Sequence, residues 1–335
     1  METMPALPEA RGEAGRDGVS PSRCAPWDAQ ASPLGPRTGP IGIAGAGRLG
    51  PALGRLLREA GETVAAIADL DPARAAAGAA FIGAEVRAVP VSELPERAPR
   101  LLIAVSDEAI RPVAEELASP SLAGGIALHT CGAVGVEVLA PLAERGVSCG
   151  VLHPLQTIPA AERGVEALRG IAYGVTAEGA AREWAAGIAR LAGGRVLEVP
   201  AAARALYHAA AVTACNYVVA LLDAAAGMLE AADIGREEGL RALRPMVEST
   251  VRNVFDAGPE AALTGPIRRG DARTVERHLR ALARCGVSGG REQHWERLYR
   301  AAGLQALELA RRAGLDEAAA QALARRLRNN VDGNA

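Results

Sequence analysis

The run Pro40-Ile-Gly-Ile-Ala-Gly-Ala-Gly-Arg-Leu-Gly50 constrains this chain more than any other stretch. Ile41, Ile43 and Ala44 read as a short buried strand. Gly45, Gly47 and Gly50 follow as G-x-G-x-x-G. Leu49, Leu53, Leu56, Leu57 and Ala60 then recur at helical spacing until Gly61. A strand, a glycine turn and a helix in that order leave few folds open. Gly45 permits the tight turn, Gly47 lets a phosphate approach the backbone, and Gly50 lets helix and strand pack closely. The free N–H groups and the positive end of the helix dipole face the same point. Pro51 falls in the first turn, where its missing N–H is no loss. Gly45, Ala46, Gly47, Arg48, Leu49 and Gly50 are therefore the expected cradle of a dinucleotide pyrophosphate. A purely structural glycine turn is the competing reading.

Strand and helix signals alternate from Ile41 to about Pro200. Apolar runs at 64–68, 86–89, 101–105, 126–129, 148–152, 172–175 and 196–199 are separated by helical stretches, the last of these at 178–191. Such alternation implies a parallel sheet covered on both faces, with ligands beyond the carboxyl ends of its strands. From about Ala201 strand signals cease, and helical patterns run over 203–230, 237–257, 272–284, 292–313 and 316–328. The expected class is α/β: a Rossmann-type doubly wound, mostly parallel sheet followed by an all-helical C-terminal domain. Residues 1–39, rich in Pro, Gly, Ala, Ser and Arg without periodicity, read as a disordered tail. Residues 40–200 form the dinucleotide-binding domain and 201–330 the helical substrate and dimerisation domain.

The formal net charge of −2 removes any basic field for nucleic acid or an acidic membrane surface. The sequence contains no lysine, which excludes a Schiff base or a lysine general acid. Its 5 cysteines include no C-x-x-C, so neither a disulfide framework nor a zinc site is expected, and a reducing cytoplasm fits. No metal site is expected. The apolar stretch 209–232 is interrupted by Asn216, Asp223 and Glu230. It reads as a buried helix of a soluble protein rather than a membrane span.

Asp69 ends the second strand, one residue past Ala68, the position where the motif most often places an acid for the ribose. It either accepts hydrogen bonds from a 2′-OH, favouring NAD over NADP, or serves as a turn acid in Asp-Leu-Asp-Pro. Val105 and Ser106 close the fourth strand beside the expected cofactor path. After the sixth strand come His153-Pro-Leu-Gln156-Thr157, whose polar groups either orient a substrate or satisfy loop backbone. Cys131 fits a small residue in a tight turn better than a nucleophile. His208 and Asn216 lie eight residues apart, about two helical turns, hence on one face. His208 is either a site group or an interdomain histidine. Arg269 either clamps an anion or stays solvated beside the helix capped by Asp271.

Gly45-Ala-Gly-Arg-Leu-Gly50, His153-Pro-Leu-Gln-Thr157, Tyr207-His-Ala-Ala-Ala211 with Asn216, and Leu263-Thr-Gly-Pro-Ile-Arg-Arg-Gly-Asp271 with His278-Leu279 together resemble a bacterial family. Its members are Rossmann-like proteins fused to a C-terminal helical domain of unknown function, predicted NADP oxidoreductases. The family is similar in architecture to pyrroline-5-carboxylate reductase and to the 6-phosphogluconate and 3-hydroxyacid dehydrogenases. That resemblance implies NADP or NAD as cofactor, a helical domain that forms a homodimer and closes over the nicotinamide, and a small-molecule substrate. The hydroxyacid branch uses a helix lysine one turn before an asparagine, but this chain has Val212 there. Where the family carries Ser-Arg after the second strand, this chain has Asp69-Leu70. The expected activity is hydride transfer to or from a small, anionic carbonyl or imine, with His208 favoured over His153 as proton donor. The alternative is a non-catalytic NAD(P)-binding sensor or partner protein.

Overall fold

In a computed structural model, residues 39–285 and 292–328 are described. The expected tail, residues 1–39, lies outside the described residues except for Gly39, whose carbonyl accepts a 2.8 Å hydrogen bond from Arg100 Nε. Eight strands form one sheet: β1 (Ile41–Ala44), β2 (Val64–Ala68), β3 (Arg87–Ala88), β4 (Arg100–Ile103), β5 (Ile126–His129), β6 (Ser148–Pro154), β7 (Ala172–Ala177) and β8 (Arg195–Glu198). Their spatial order is β3-β2-β1-β4-β5-β6-β7-β8. Neighbours pair in parallel except β6 with β7, which are antiparallel. Seven helices accompany the sheet: α1 (Leu49–Glu59), α2 (Pro72–Ile82), α3 (Leu94–Arg97), α4 (Ile110–Glu116), α5 (Ala140–Ala143), α6 (Ala161–Ala167) and α7 (Gly179–Leu191).

Alternation along the strands sends side chains to two separate cores. Ile41, Ile43, Leu102, Leu128 and Leu152 pack with Leu53, Leu56, Leu57 and Trp184 on one face. Leu101, Ile103 and Ala127 pack with Ile110, Val113 and Leu142 on the other. The class expected from the sequence is the observed one.

Beyond β8 the described chain is helical: α8 (Arg204–Ala214), α9 (Asn216–Glu230), α10 (Arg236–Ala257), α11 (Pro259–Ala262), α12 (Gly265–Arg268), α13 (Ala272–Cys285), α14 (Glu292–Arg312) and α15 (Glu317–Arg328). A third core, with Val275, Leu279, Leu307, Leu323 and Leu327, joins α13, α14 and α15.

Two expectations fail here. The helix read over 203–230 is interrupted at Cys215, whose φ −121° and ψ −68° leave the helical region, so His208 and Asn216 do not share one uninterrupted face. The apolar stretch 209–232 is also largely uncovered within one chain. Tyr217 is 56% exposed, Val219 67%, and Phe255 on neighbouring α10 84%. The segment Ala201–Glu230 is long and apolar enough by composition to cross a membrane, although it bends at Cys215. The physical reason is local: α9 packs on α10 and α8, and that leaves much of its apolar surface facing outward.

Candidate active site

The glycine loop joins β1 to α1 at the carboxyl end of the strand. Gly45 has φ +108°, and a Cβ there would fall on the Ala104 carbonyl oxygen, so both rotation and space demand glycine. A Cβ on Gly50 would fall on the Gly45 carbonyl oxygen, the close helix–strand contact expected of that position. Gly47 differs from both: it is exposed, and a Cβ there would meet nothing within 4 Å. The first residue before α1, Arg48, provides no side-chain cap. The start of α1 is therefore uncapped and open, an arrangement suited to a phosphate.

Asp69 resolves the one-residue offset between sequence and motif. β2 ends at Ala68, and the Asp69 carboxylate turns back so that Oδ2 accepts the Ala46 N–H at 2.8 Å. Oδ1 accepts the Asp71 N–H at 3.0 Å and pairs with Arg74 Nη2 at 2.8 Å. Asp69 is thus both a turn acid and a brace of the glycine loop. Two amides of the loop are engaged within the chain: the Ala46 N–H by Asp69, and the Gly45 N–H by the Ala68 carbonyl at 2.7 Å. Val105 lines the same region, its Cγ1 lying 3.0 Å from the position of a Gly45 Cβ. Ser106 is exposed, preceding a short 3-10 turn at Asp107–Ala109.

A second cluster forms where β5 and β6 end and α8 begins. His129 is fully buried. Its Nδ1 accepts the Cys131 N–H at 3.2 Å and its Nε2 lies 3.0 Å from the Gly135 carbonyl. That pattern fixes a neutral ring with the proton on Nε2, and burial holds its pKa down at about 4. The Cys131 Sγ accepts the Ala133 and Val134 N–H groups, and burial pushes the thiol up to about 11. Cys131 is a turn residue, not an activated nucleophile.

Arg204 at the start of α8 is 1% exposed and has no carboxylate within salt-bridge distance among the described residues. Its guanidinium donates to the carbonyls of Cys131 (2.8 Å), Gly132 (3.0 Å) and Val134 (2.9 Å) and to Thr176 Oγ1 (2.8 Å). It stitches the helix to the loop after β5 and to β7. It also lies over the Tyr207 ring, 5.8 Å from the centroid.

One turn along α8, Tyr207 and His208 both reach His153 on β6. The Tyr207 hydroxyl is 2.8 Å from His153 Nδ1, and the His208 ring stands edge-on to His153 with centroids 5.8 Å apart. Two glycines make room for this. A Cβ on Gly132 would meet His208 Nδ1 and would lie 2.9 Å from His153 Nε2; one on Gly174 would fall on the Tyr207 hydroxyl. The His208 Nδ1 is buried and has no hydrogen-bond partner. Burial, reinforced by His208 and Arg204, holds His153 down at about 4.

The remaining expected residues are not drawn into this cluster. Gln156 and Thr157 are exposed and bonded to each other, with the Thr157 N–H donating to Gln156 Oε1 at 2.8 Å. Asn216 is exposed at the start of α9. Arg269 is exposed at the end of α12, which packs on α13 and α14. Sequence reasoning passed over Arg204, one alanine-flanked arginine in an arginine-rich chain, and left Tyr207 as a mere neighbour of His208. The adjacency Tyr207-His208 at a helix start was the available signal.

A sheet of this order, with a glycine loop after its first strand, is Rossmann-type, and a helical C-terminal region follows it. More particularly, residues 28–154 match a Rossmann-like domain and residues 171–306 match DUF2520, a domain of unknown function; the chain joins the two. No curated protein matches the sequence. Among solved structures, a candidate NADP oxidoreductase from Bacteroides fragilis is 24% identical with a TM-score of 0.62, covering 78% of this chain and 97% of its own. A Thermotoga maritima protein is 22% identical with a TM-score of 0.62, covering 81% and 98%. An Aspergillus terreus reductive aminase, solved with NADPH and ethyl levulinate, is 18% identical with a TM-score of 0.53, covering 89% and 96%.

Proposed function

We propose that this chain is an NAD(P)-dependent oxidoreductase that transfers hydride to or from a small, anionic carbonyl or imine compound. One observation carries the reading. The open, uncapped start of α1 and the Tyr207–His153–His208 cluster lie at the same carboxyl edge of one sheet, three strands apart. At roughly 4.8 Å per strand this is about 14 Å, a span that an extended dinucleotide bridges. Structural neighbours solved with NADPH and with NADP bound support the same choice.

In this reading the pyrophosphate rests against Gly45, Gly47, Arg48, Leu49 and Gly50, and Ala46 contributes shape rather than its amide. Asp69 faces the adenosine ribose, with Arg74 beside it, while Val105 and Ser106 flank the path toward the histidines. When bound, the nicotinamide supplies or accepts the hydride. The chain's own residues orient the substrate and move the proton: His208 is the donor, His153 its neighbour, and Gln156, Thr157, Asn216 and Arg269 the polar groups offered to the substrate. Lysine cannot serve in any of these roles. The domains divide near residue 200, the protein acts in the cytoplasm, and a second copy covers the apolar faces of α9 and α10.

Calorimetry with NADPH and NADH tests the reading first, and it expects binding of at least one. Consumption of the reduced dinucleotide is then followed with small ketoacids and cyclic imines. A chain that binds neither nucleotide overturns the assignment; one that binds but consumes nothing from either class makes it a sensor instead.

A further inference from the structure

Resting on that reading of the site, we propose that Tyr207, His153 and His208 form a single proton relay ending at His208 Nε2. His208 Nδ1 is buried without a hydrogen-bond partner, and burying such a nitrogen unpaired is costly. It approaches the same point beside Gly132 that His153 Nε2 approaches at 2.9 Å. His153 in turn has its other nitrogen, Nδ1, engaged by the Tyr207 hydroxyl at 2.8 Å. The three groups are therefore consecutive neighbours: hydroxyl, first imidazole, second imidazole. In the resting geometry the inner gap is not yet a hydrogen bond, and such bonds commonly tighten only when substrate is present.

The proton balance is explicit. The substrate oxygen or nitrogen takes the His208 Nε2 proton as the hydride reaches the adjacent carbon. His208 Nδ1 takes the His153 Nε2 proton, and His153 Nδ1 takes the Tyr207 hydroxyl proton. The tyrosinate left behind sits under the Arg204 guanidinium. When product leaves, a solvent proton enters at His208 Nε2 and the protons shift back along the relay, which restores the Tyr207 hydroxyl and both starting tautomers.

Burial first, and then the charged and titratable surroundings, favour a neutral His153 ring. Arg204 and His208 from α8 and His129 from β5 lower the His153 pKa, and Asp107 after β4 opposes them. A neutral His153 is a poor terminal acid at pH 7 but a competent conductor, able to accept at one nitrogen and donate at the other. Burial raises the Tyr207 pKa and Arg204 draws it back. Tyr207 and His153 act through His208, so they are positioning and supply groups; of the three, only His208 touches the substrate.

The relay makes a tautomer prediction that needs no cofactor or substrate. In the full-length protein labelled with 15N-histidine, which has 5 histidines to assign, His153 should be neutral at pH 7 with its proton on Nε2. Tyr207→Phe should release that preference into a mixture while the other histidine signals stay in place. In turnover, Tyr207→Phe should lower kcat by ~10-fold or more, within the range of lost proton-transfer assistance, with dinucleotide affinity unchanged. A His153 proton found on Nδ1, donating to the Tyr207 oxygen, breaks the relay outright. So does full turnover in Tyr207→Phe. Failure of the wild-type chain to bind a nicotinamide dinucleotide would overturn the oxidoreductase reading instead, and the tautomer measurement separates the two.

Discussion

Leu53, Leu56 and Leu57 on α1 are wholly buried, whereas Leu206, Val219 and Phe255 on α8 to α10 are 76%, 67% and 84% exposed. The exposed set is not set apart by being polar in sequence: α9 is richer in apolar residues than the buried α1. The sheet half closes on itself: helices cover each face, and the two cores bury its apolar side chains without outside help. The α8–α10 region has spent its apolar residues on a surface that one chain does not cover. Hydropathy thus reports that burial is required somewhere, but it is silent about which molecule provides it. Of the two regions, the first should tolerate isolation and the second should not.

The most severe test strikes the self-sufficient half at the one loop position built for something else. Gly47→Asp puts a carboxylate into the open space at the start of α1. Dinucleotide affinity should fall below calorimetric detection while the far-ultraviolet circular dichroism stays unchanged. Unaltered affinity would mean that the loop is only a turn. The next test strikes the uncovered half. Burying each large apolar side chain contributes ~1.5–3 kcal/mol, so Val219→Glu with Phe255→Glu should weaken self-association by about 10²-fold or more. Light scattering should show the wild type as a dimer at micromolar concentration and the double variant as monomer. A wild type that is monomeric in water and partitions onto neutral lipid vesicles would give the face to a membrane instead.

A third test sharpens the contrast from inside the sheet half. His129 titrates near 6.5 when unfolded and at about 4 in the fold. The unfolded chain therefore takes up the proton first, so stability is intact above about pH 6.5 and is lost progressively down to about pH 4. At ~1.4 kcal/mol per unit, the loss is on the order of 3 kcal/mol. Urea unfolding of His129→Gln should show a shallower decline over that interval; an identical decline would assign it elsewhere. A smaller effect is expected at Asp69. A charge-assisted hydrogen bond to the ribose contributes about 1.5–3 kcal/mol, so Asp69→Ser should shift preference from NAD toward NADP by roughly tenfold or more. Tighter NADP binding by the wild type would transfer the role to Arg74. The least effect belongs to the exposed pair Arg182–Glu198 at 2.6 Å. Such pairs contribute ~0–1 kcal/mol, and Arg182→Ala should hardly move the unfolding midpoint.

Much of the sheet was legible because its signals are local. β5 falls on 126–129 as read, and β2 on 64–68, since an apolar run bounded by turns needs no tertiary information. Asp69 shows where local reading stops. One residue past the expected position, it still reaches the glycine loop because its short side chain folds back onto the Ala46 amide. The reversal of direction between β6 and β7 left no mark in either strand's composition. The break at Cys215 carries no glycine or proline to announce it. Arg204 was invisible for a different reason: its importance comes from four oxygens supplied by β7 and by the loop after β5, and nothing about an arginine between alanines encodes that.

Gly132 and Gly174 have a consequence for how this chain can drift. Neither has the positive φ that makes glycine compulsory for the backbone. Any residue could adopt those torsions, yet a single methyl group would strike an imidazole at the one and a phenol at the other. In a library of random variants both codons should therefore come back almost bare of alanine and serine. Many glycines whose torsions are left-handed, such as Gly61 and Gly146, border empty space, and there a small replacement meets backbone strain but no clash. Backbone geometry alone would mark only the second pair as costly and pass over the first.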